Sequence, residues 1–272
     1  MTPSFPLIRG GLGQVLFPSV RKIRFQTSLQ VMANGQEQRA AGRGVPLFEF
    51  ELNYNSLTLP ERNQITSFFD TVIAQVSLWN ISFGAQLYDN LKFTQDNIAW
   101  TEKEPNLYNT TLNARQVANP GYPMPNPASI GQVFPSLSTQ AMGKAFVQTQ
   151  RPYGTDWRQL TTVNDNPTGW AYPYYWYGSN LGGANSVSGN GLFPPSARKR
   201  WRLQYILQDT DTVQLATFFI GMLGMWGQFN FFDPEDGTQH YPCRFESDVL
   251  ELNHQGPNLT TTSVSIIECP GI

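Results

Sequence analysis

The chain has little of what catalysis and metal binding usually draw on. Only two of its 272 residues are histidine and two are cysteine. Cys243 and Cys269 are too few for a disulfide framework or a cysteine-based zinc site, and they read as reduced, half-buried thiols of a reducing compartment. His240 stands three residues before Cys243. No motif supplies the third ligand or orienting carboxylate that a nucleophilic or metal-binding pair needs. The sequence thus offers no catalytic residue, no metal set and no cofactor site, and it predicts a chain that is not an enzyme.

Charge is scarce as well. Asp, Glu, Lys and Arg make up 14% of the residues, well under the roughly 25% of ordinary soluble domains. With a net charge of −2 there is no basic footprint for gripping a phosphate backbone. No uncharged apolar run reaches the roughly 18 residues of a membrane span, and the start of the chain lacks the basic leader and apolar core of a secretory signal. Without such a signal, the glycosylation patterns at Asn80, Asn109 and Asn258 carry no expectation.

Hydrophobic residues at 40% and aromatics at 13% supply real cores. Together with the low charge they predict a surface that other subunits cover.

An internal repeat organises this material. Thr58-Leu-Pro-Glu61 offers a capping hydroxyl, an early proline and a glutamate at the third helical position, so a helix of about four turns should start there. Its apolar stripe is Ile65, Phe68, Phe69, Val72, Ile73 and Val76. The stripe returns 150 positions later at Leu215, Phe218, Phe219, Met222, Leu223 and Trp226, with Asp211 and Gln214 read as cap and third-position partner. Before the helices, Phe48, Phe50, Leu52 and Tyr54 alternate with polar residues, as do Trp201, Leu203, Tyr205 and Leu207; both read as half-buried strands.

After the helices come aromatic strands, residues 78–83 and 228–232. Then Lys92–Trp100 lines up with Arg244–Leu252, and Pro105-Asn-Leu107 with Pro257-Asn-Leu259, at a constant offset of 152. A strand at Lys144–Thr149 echoes Ile23–Thr27. Strand, helix, strand and hairpin recurring in one order predict a mainly β (α+β) chain of two tandem units. Composition divides it into a first unit at 1–118 with an N-terminal arm, a proline-rich linker at 119–143, and a second unit at 144–272.

The second unit carries an insertion at about 167–195 holding Tyr172, Tyr174, Tyr175, Trp176 and Tyr177. Aromatics are enriched at interface cores, so this patch is a candidate subunit contact, ahead of packing on its own unit and of a glycan-binding platform. Asp233-Pro-Glu-Asp-Gly237 lacks calcium-loop spacing and reads as a hairpin turn.

Residues 24–39, with Gly35, Glu37, Gln38 and Arg39 in a glycine turn followed by an alternating strand, resemble the start of bacteriophage minor tail and distal tail proteins, including those of gene transfer agents. The resemblance covers about residues 17–117. In the second half Tyr153–Arg158 departs from it. It implies two tandem tail-tube-like β-barrel or sandwich domains, each flanked by one amphipathic helix. It further implies a structural subunit of the virion tail, assembled in the host cytoplasm. Such a distal tail or hub protein forms a ring at the distal tube or tail tip, as a trimer with pseudo-sixfold symmetry or as a hexamer. Its partners would be the tail tube protein and other tail-tip proteins, with DNA only in transit through the channel. The alternative is a carbohydrate-binding module of the tail tip that uses the aromatic patch.

Overall fold

The computed structural model describes residues 2–9, 15–31, 37–72, 76–83, 86–117, 132–137, 142–150, 157–160, 199–233 and 237–269. Strands dominate it. In chain order they are β1 (Ser19–Val31), β2 (Glu37–Leu57), β3 (Trp79–Phe83), β4 (Gln86–Phe93), β5 (Thr101–Glu104), β6 (Leu107–Gln116), β7 (Met142–Gln150), β8 (Trp157–Leu160), β9 (Lys199–Leu207), β10 (Phe229–Phe232), β11 (Gln239–Phe245), β12 (Val249–Gly256) and β13 (Leu259–Glu268). Among the described residues two helices interrupt them, α1 (Leu59–Thr71) after β2 and α2 (Asp209–Gly221) after β9.

Both helices start where a strand has just ended. Thr58 caps α1, and Glu61 turns back to accept the Thr58 N–H at 2.8 Å. In α2 the cap is Gln208, not Asp211; Asp211 instead sits at the third helical position, the place of Glu61. The stripe buries Ile65, Phe69 and Val72 in the first half and Leu215, Phe219 and Met222 in the second. Its far ends differ: α1 stops at Thr71 and leaves Val76 exposed, Ile73 lies outside the described residues, and Trp226 is half-buried against the core.

The strands form one large antiparallel sheet in the order β3-β4-β6-β2-β1-β12-β13-β9-β7-β8, with β10 and β11 joined to it through β13, and β5 through β6. Two copies of one pairing scheme are legible in it. Trp79 lies opposite Leu91 and Ile81 opposite Tyr88; 150 and 152 residues on, Phe229 lies opposite Cys243 and Phe231 opposite His240. Leu91, Lys92 and Phe93 pair with Gln116, Arg115 and Ala114, just as Cys243, Arg244 and Phe245 pair with Glu268, Ile267 and Ile266. The hairpins match too. Thr101 and Glu102 face Asn109 and Tyr108, and Asn253 and His254 face Thr261 and Thr260. Asn106 and Asn258 turn the two hairpins in the left-handed region, at φ 64° and 56°, which asparagine tolerates better than most residues.

One residue separates the copies in β2 and β9. Phe50 opposes Ala114 and Trp201 opposes Ile266, so Trp201 stands in the place of Phe50 rather than of Phe48. Leu57 and Leu207 nevertheless match as the last residues before the helices. A register shift between Tyr54 and Leu57, with Ser56 at φ 56°, absorbs the extra residue in β2, and β9 has none against β13.

Each half is plugged by a chain segment preceding its first strand. Ser4 forms a parallel bridge to Asn80, and the Phe5 ring packs on Tyr54, Phe68 and Trp79. In the second half Val133 bridges Asn230, and Phe134 packs on Phe218, Phe229 and Phe245. Residues 132–137, within the stretch that composition marks as linker, thus repeat the N-terminal plug.

A single buried cluster spans both halves, from Phe5 and Trp79 to Trp201 and Phe245. One sheet and one buried cluster thus run through both halves.

Candidate assembly interface

The halves are joined strand to strand. Arg21, Lys22, Ile23 and Arg24 of β1 pair with Leu252, Glu251, Leu250 and Val249 of β12. Ile23, Leu250 and Leu252 are each 2% exposed or less, so the ladder is backed by a dry layer. At its solvent face Lys22 Nζ meets Glu251 Oε2 at 3.0 Å. The two surfaces in contact are different parts of the repeat, which makes the junction heterologous.

Beyond this ladder β1 bends at two register shifts between Arg24 and Thr27, and its hairpin with β2 reaches over the end of α2. Phe25 donates its N–H to Asp248 O at 2.9 Å, and its ring lies 5.9 Å from that of Phe219. The Asp248 carboxylate accepts from the Thr27 N–H, from the Thr27 hydroxyl at 2.9 Å and from the Met225 N–H at 3.0 Å. Glycine is required at 224: φ is +63°, and a Cβ there would stand 2.6 Å from Asp248 Oδ1 and 3.2 Å from Phe25.

A polar cluster closes the other side of the junction. Arg21 Nη1 donates to the Tyr88 hydroxyl at 2.8 Å, and its guanidinium lies 5.6 Å from the Phe83 ring centre. Phe83 in turn packs on His254 at 4.9 Å, and His254 Nδ1 meets the Thr260 hydroxyl at 2.9 Å. Burial and the neighbouring Arg21 cation press the His254 pKa down to about 4, so the ring is neutral at neutral pH.

The residues singled out from sequence fall on different parts of this picture. Gly35 lies outside the described residues, and Glu37 is placed by its backbone alone, opposite Val31. Gln38 is exposed on the hairpin arm. Arg39 reaches into the junction, where Nη1 donates to Met225 O at 2.7 Å. Tyr172, Tyr174, Tyr175, Trp176 and Tyr177 lie outside the described residues. Sequence reading missed Phe25, Asp248 and Gly224. The available signal was that Asp248 and Asp96 occupy one repeat position. It also missed the plugs, announced by Phe5-Pro6 and Phe134-Pro135.

The Cys243–His240 pair is not arranged as a nucleophile and base. The thiol faces the His240 carbonyl at 3.5 Å, while the ring turns to Glu268 at 3.2 Å and to Asp233 at 4.0 Å. Burial, with Glu268 and Cys269 adding to it, pushes the Cys243 thiol pKa up and keeps it protonated. Asp233 accepts the Trp201 indole N–H at 3.1 Å, and its backbone closes a turn with Gly237 and Thr238 at 2.8 Å each. Among the described residues no group of three or more His, Cys, Asp or Glu is placed to hold a metal ion, and no helix is long and apolar enough to cross a membrane.

Compared with known proteins, the chain matches no family model, and no curated protein matches it.

Proposed function

We propose that this chain is a structural subunit that assembles head to tail into a ring, and that the ring belongs to the distal tube or tip of a bacteriophage tail. The carrying observation is the junction between the halves. Two copies of one pairing scheme meet through unlike surfaces, β1 of the first and β12 of the second. A heterologous contact between repeats leaves one unlike surface open at each end, and its repetition closes into a ring when the rotation allows.

The tail assignment rests on the resemblance at Glu37, Gln38 and Arg39, whose arginine reaches into that junction. In this reading each half is a tail-tube-like unit, three chains place six units around a DNA channel, and the tail tube and other tip proteins stack on the faces. Low charge and abundant aromatics suit such burial. Electron microscopy of the purified protein is the test. Annuli with threefold symmetry are expected, sixfold annuli would select the hexamer, and a protein that stays strictly monomeric and is missing from particles would sink the reading.

A further inference from the structure

The strand contact that joins the halves recurs at both open ends of the chain. Inside the molecule, Val249–Leu252 of β12 receives β1. The counterpart of those residues in the first half, fixed by the matching hairpins on either side, is Asn97–Trp100. This segment follows the same path. The Thr110 hydroxyl donates to Ala99 O at 2.9 Å, and the Thr262 hydroxyl to Glu251 O at 2.7 Å. Among the described residues, however, no strand pairs with Asn97–Trp100. Ile98 and Trp100 are left half-buried, where Leu250 and Leu252 are 2% and 0% exposed. An open groove of about 390 Å³ runs beside the segment, lined by Asn55, Asn97, Ala99 and Thr101. Asp96, at the position of Asp248, is exposed.

At the other end, β7 holds the place of β1: Val147 lies opposite Trp201 as Arg21 lies opposite Phe50. Its outer edge is taken by β8. Val147, Gln148, Thr149 and Gln150 pair with Leu160, Gln159, Arg158 and Trp157. These are the levels at which Arg21 to Arg24 pair with Leu252 to Val249. The four residues of β8, Trp157–Leu160, therefore sit where the repeat calls for the Asn97–Trp100 segment of another copy.

We infer that β8 stands in for Asn97–Trp100 of a second copy of this chain, and that assembly exchanges one for the other. The incoming segment pairs with β7 so that Trp100 faces Val147, Ala99 faces Gln148 and Asn97 faces Gln150. Until then β8 covers an edge that would otherwise pair indiscriminately. The exchange is favoured because the trans strand covers the exposed parts of Ile98 and Trp100, which are only half-buried in the free chain. The inference rests on the ring reading for the existence of an oligomer, and it adds which strands form the contact and what holds the free chain back.

Two cysteine pairs test it. Opposed residues of an antiparallel pair have Cα atoms about 4.5–5.5 Å apart, within disulfide range, and the native Cys243 and Cys269 are both buried. In Ala99→Cys/Gln148→Cys, oxidation of the assembled protein should give disulfide-linked multimers on a non-reducing gel. In Gln148→Cys/Gln159→Cys, the intrachain disulfide should hold β8 down, so that the oxidised protein sediments as a monomer and assembles after reduction. An oligomer whose first pair does not cross-link, or an oxidised second variant that assembles like the wild type, overturns the exchange while leaving the ring standing. A wild-type chain that stays monomeric overturns both.

Discussion

His254 and Asp248 show how single side chains hold the junction. His254 is neutral when folded because burial and Arg21 oppose its charging, with a pKa near 4 against an ordinary value of 6.5. Above pH 6.5 the ring is neutral in both states and costs nothing. Between pH 6.5 and about 4 the unfolded chain binds a proton that the folded chain refuses, so stability falls as pH falls, by up to about 3 kcal/mol, and levels off below. His254→Gln should flatten that limb in denaturant titrations at pH 7 and pH 4.5; an unchanged difference between the two pH values would refute the assignment. Asp248 accepts three hydrogen bonds from Thr27 and Met225. Its loss leaves those donors short of partners, at about 2 kcal/mol. Asp96 is its repeat counterpart but exposed, so Asp96→Ala should change monomer stability by no more than about 0.5 kcal/mol. Equal effects of Asp248→Ala and Asp96→Ala on urea midpoints would contradict the latch.

Among the elements, those with local signals could be read from sequence, and those held by distant contacts could not. The Thr58–Glu61 box, the helical stripe and the Pro-Asn-Leu hairpins are specified within a few residues. All of them stand where the sequence puts them, apart from the cap of α2, which lies three positions earlier than read, at Gln208 instead of Asp211, and the short end of α1. The bulge at Ser56 shifts one strand by a residue without disturbing its alternation, so pattern alone matched Trp201 to the wrong phenylalanine. The opening strand of the second half is a similar case. β7 forms, but Phe146 faces Arg202 as Val20 faces Glu51, so the pairing does not align Phe146 with Phe25. The plugs have no periodicity at all, since isolated bridges and a few buried side chains, Phe5 and Ile8 in the first and Phe134 in the second, place them. Phe5 is 1% exposed and Phe134 half-buried. Phe5→Ala should therefore cost about 3–5 kcal/mol and Phe134→Ala somewhat less. Thermal melts that leave both variants within about a degree of the wild type would show that the plugs are not part of the core.

At the scale of the whole molecule, the two repeat units read from the sequence share one sheet and one buried cluster among the described residues. Composition could mark a proline-rich boundary, but it carries no information about a ladder formed between residues more than 220 positions apart, such as Ser19 with His254. The ladder has a thermodynamic consequence. Two units unfold separately when the contact between them is worth less than the difference in their own stabilities, and together when it is worth more. Here the contact comprises a six-residue strand pairing, the buried Ile23, Phe25, Leu250 and Leu252, and the Asp248 latch. A single calorimetric transition is therefore expected for the monomeric chain, with a calorimetric to van't Hoff enthalpy ratio of ~1. Ile23→Asp puts an unpaired carboxylate into the covered layer, a change that weakens the seam while leaving the distal β3–β4 and β10–β11 hairpins intact. It should split the transition in two. Two resolved transitions in the wild type would mean that the junction is a surface contact between independent domains. The internal seam would then be too weak a precedent for the strand contact proposed between chains.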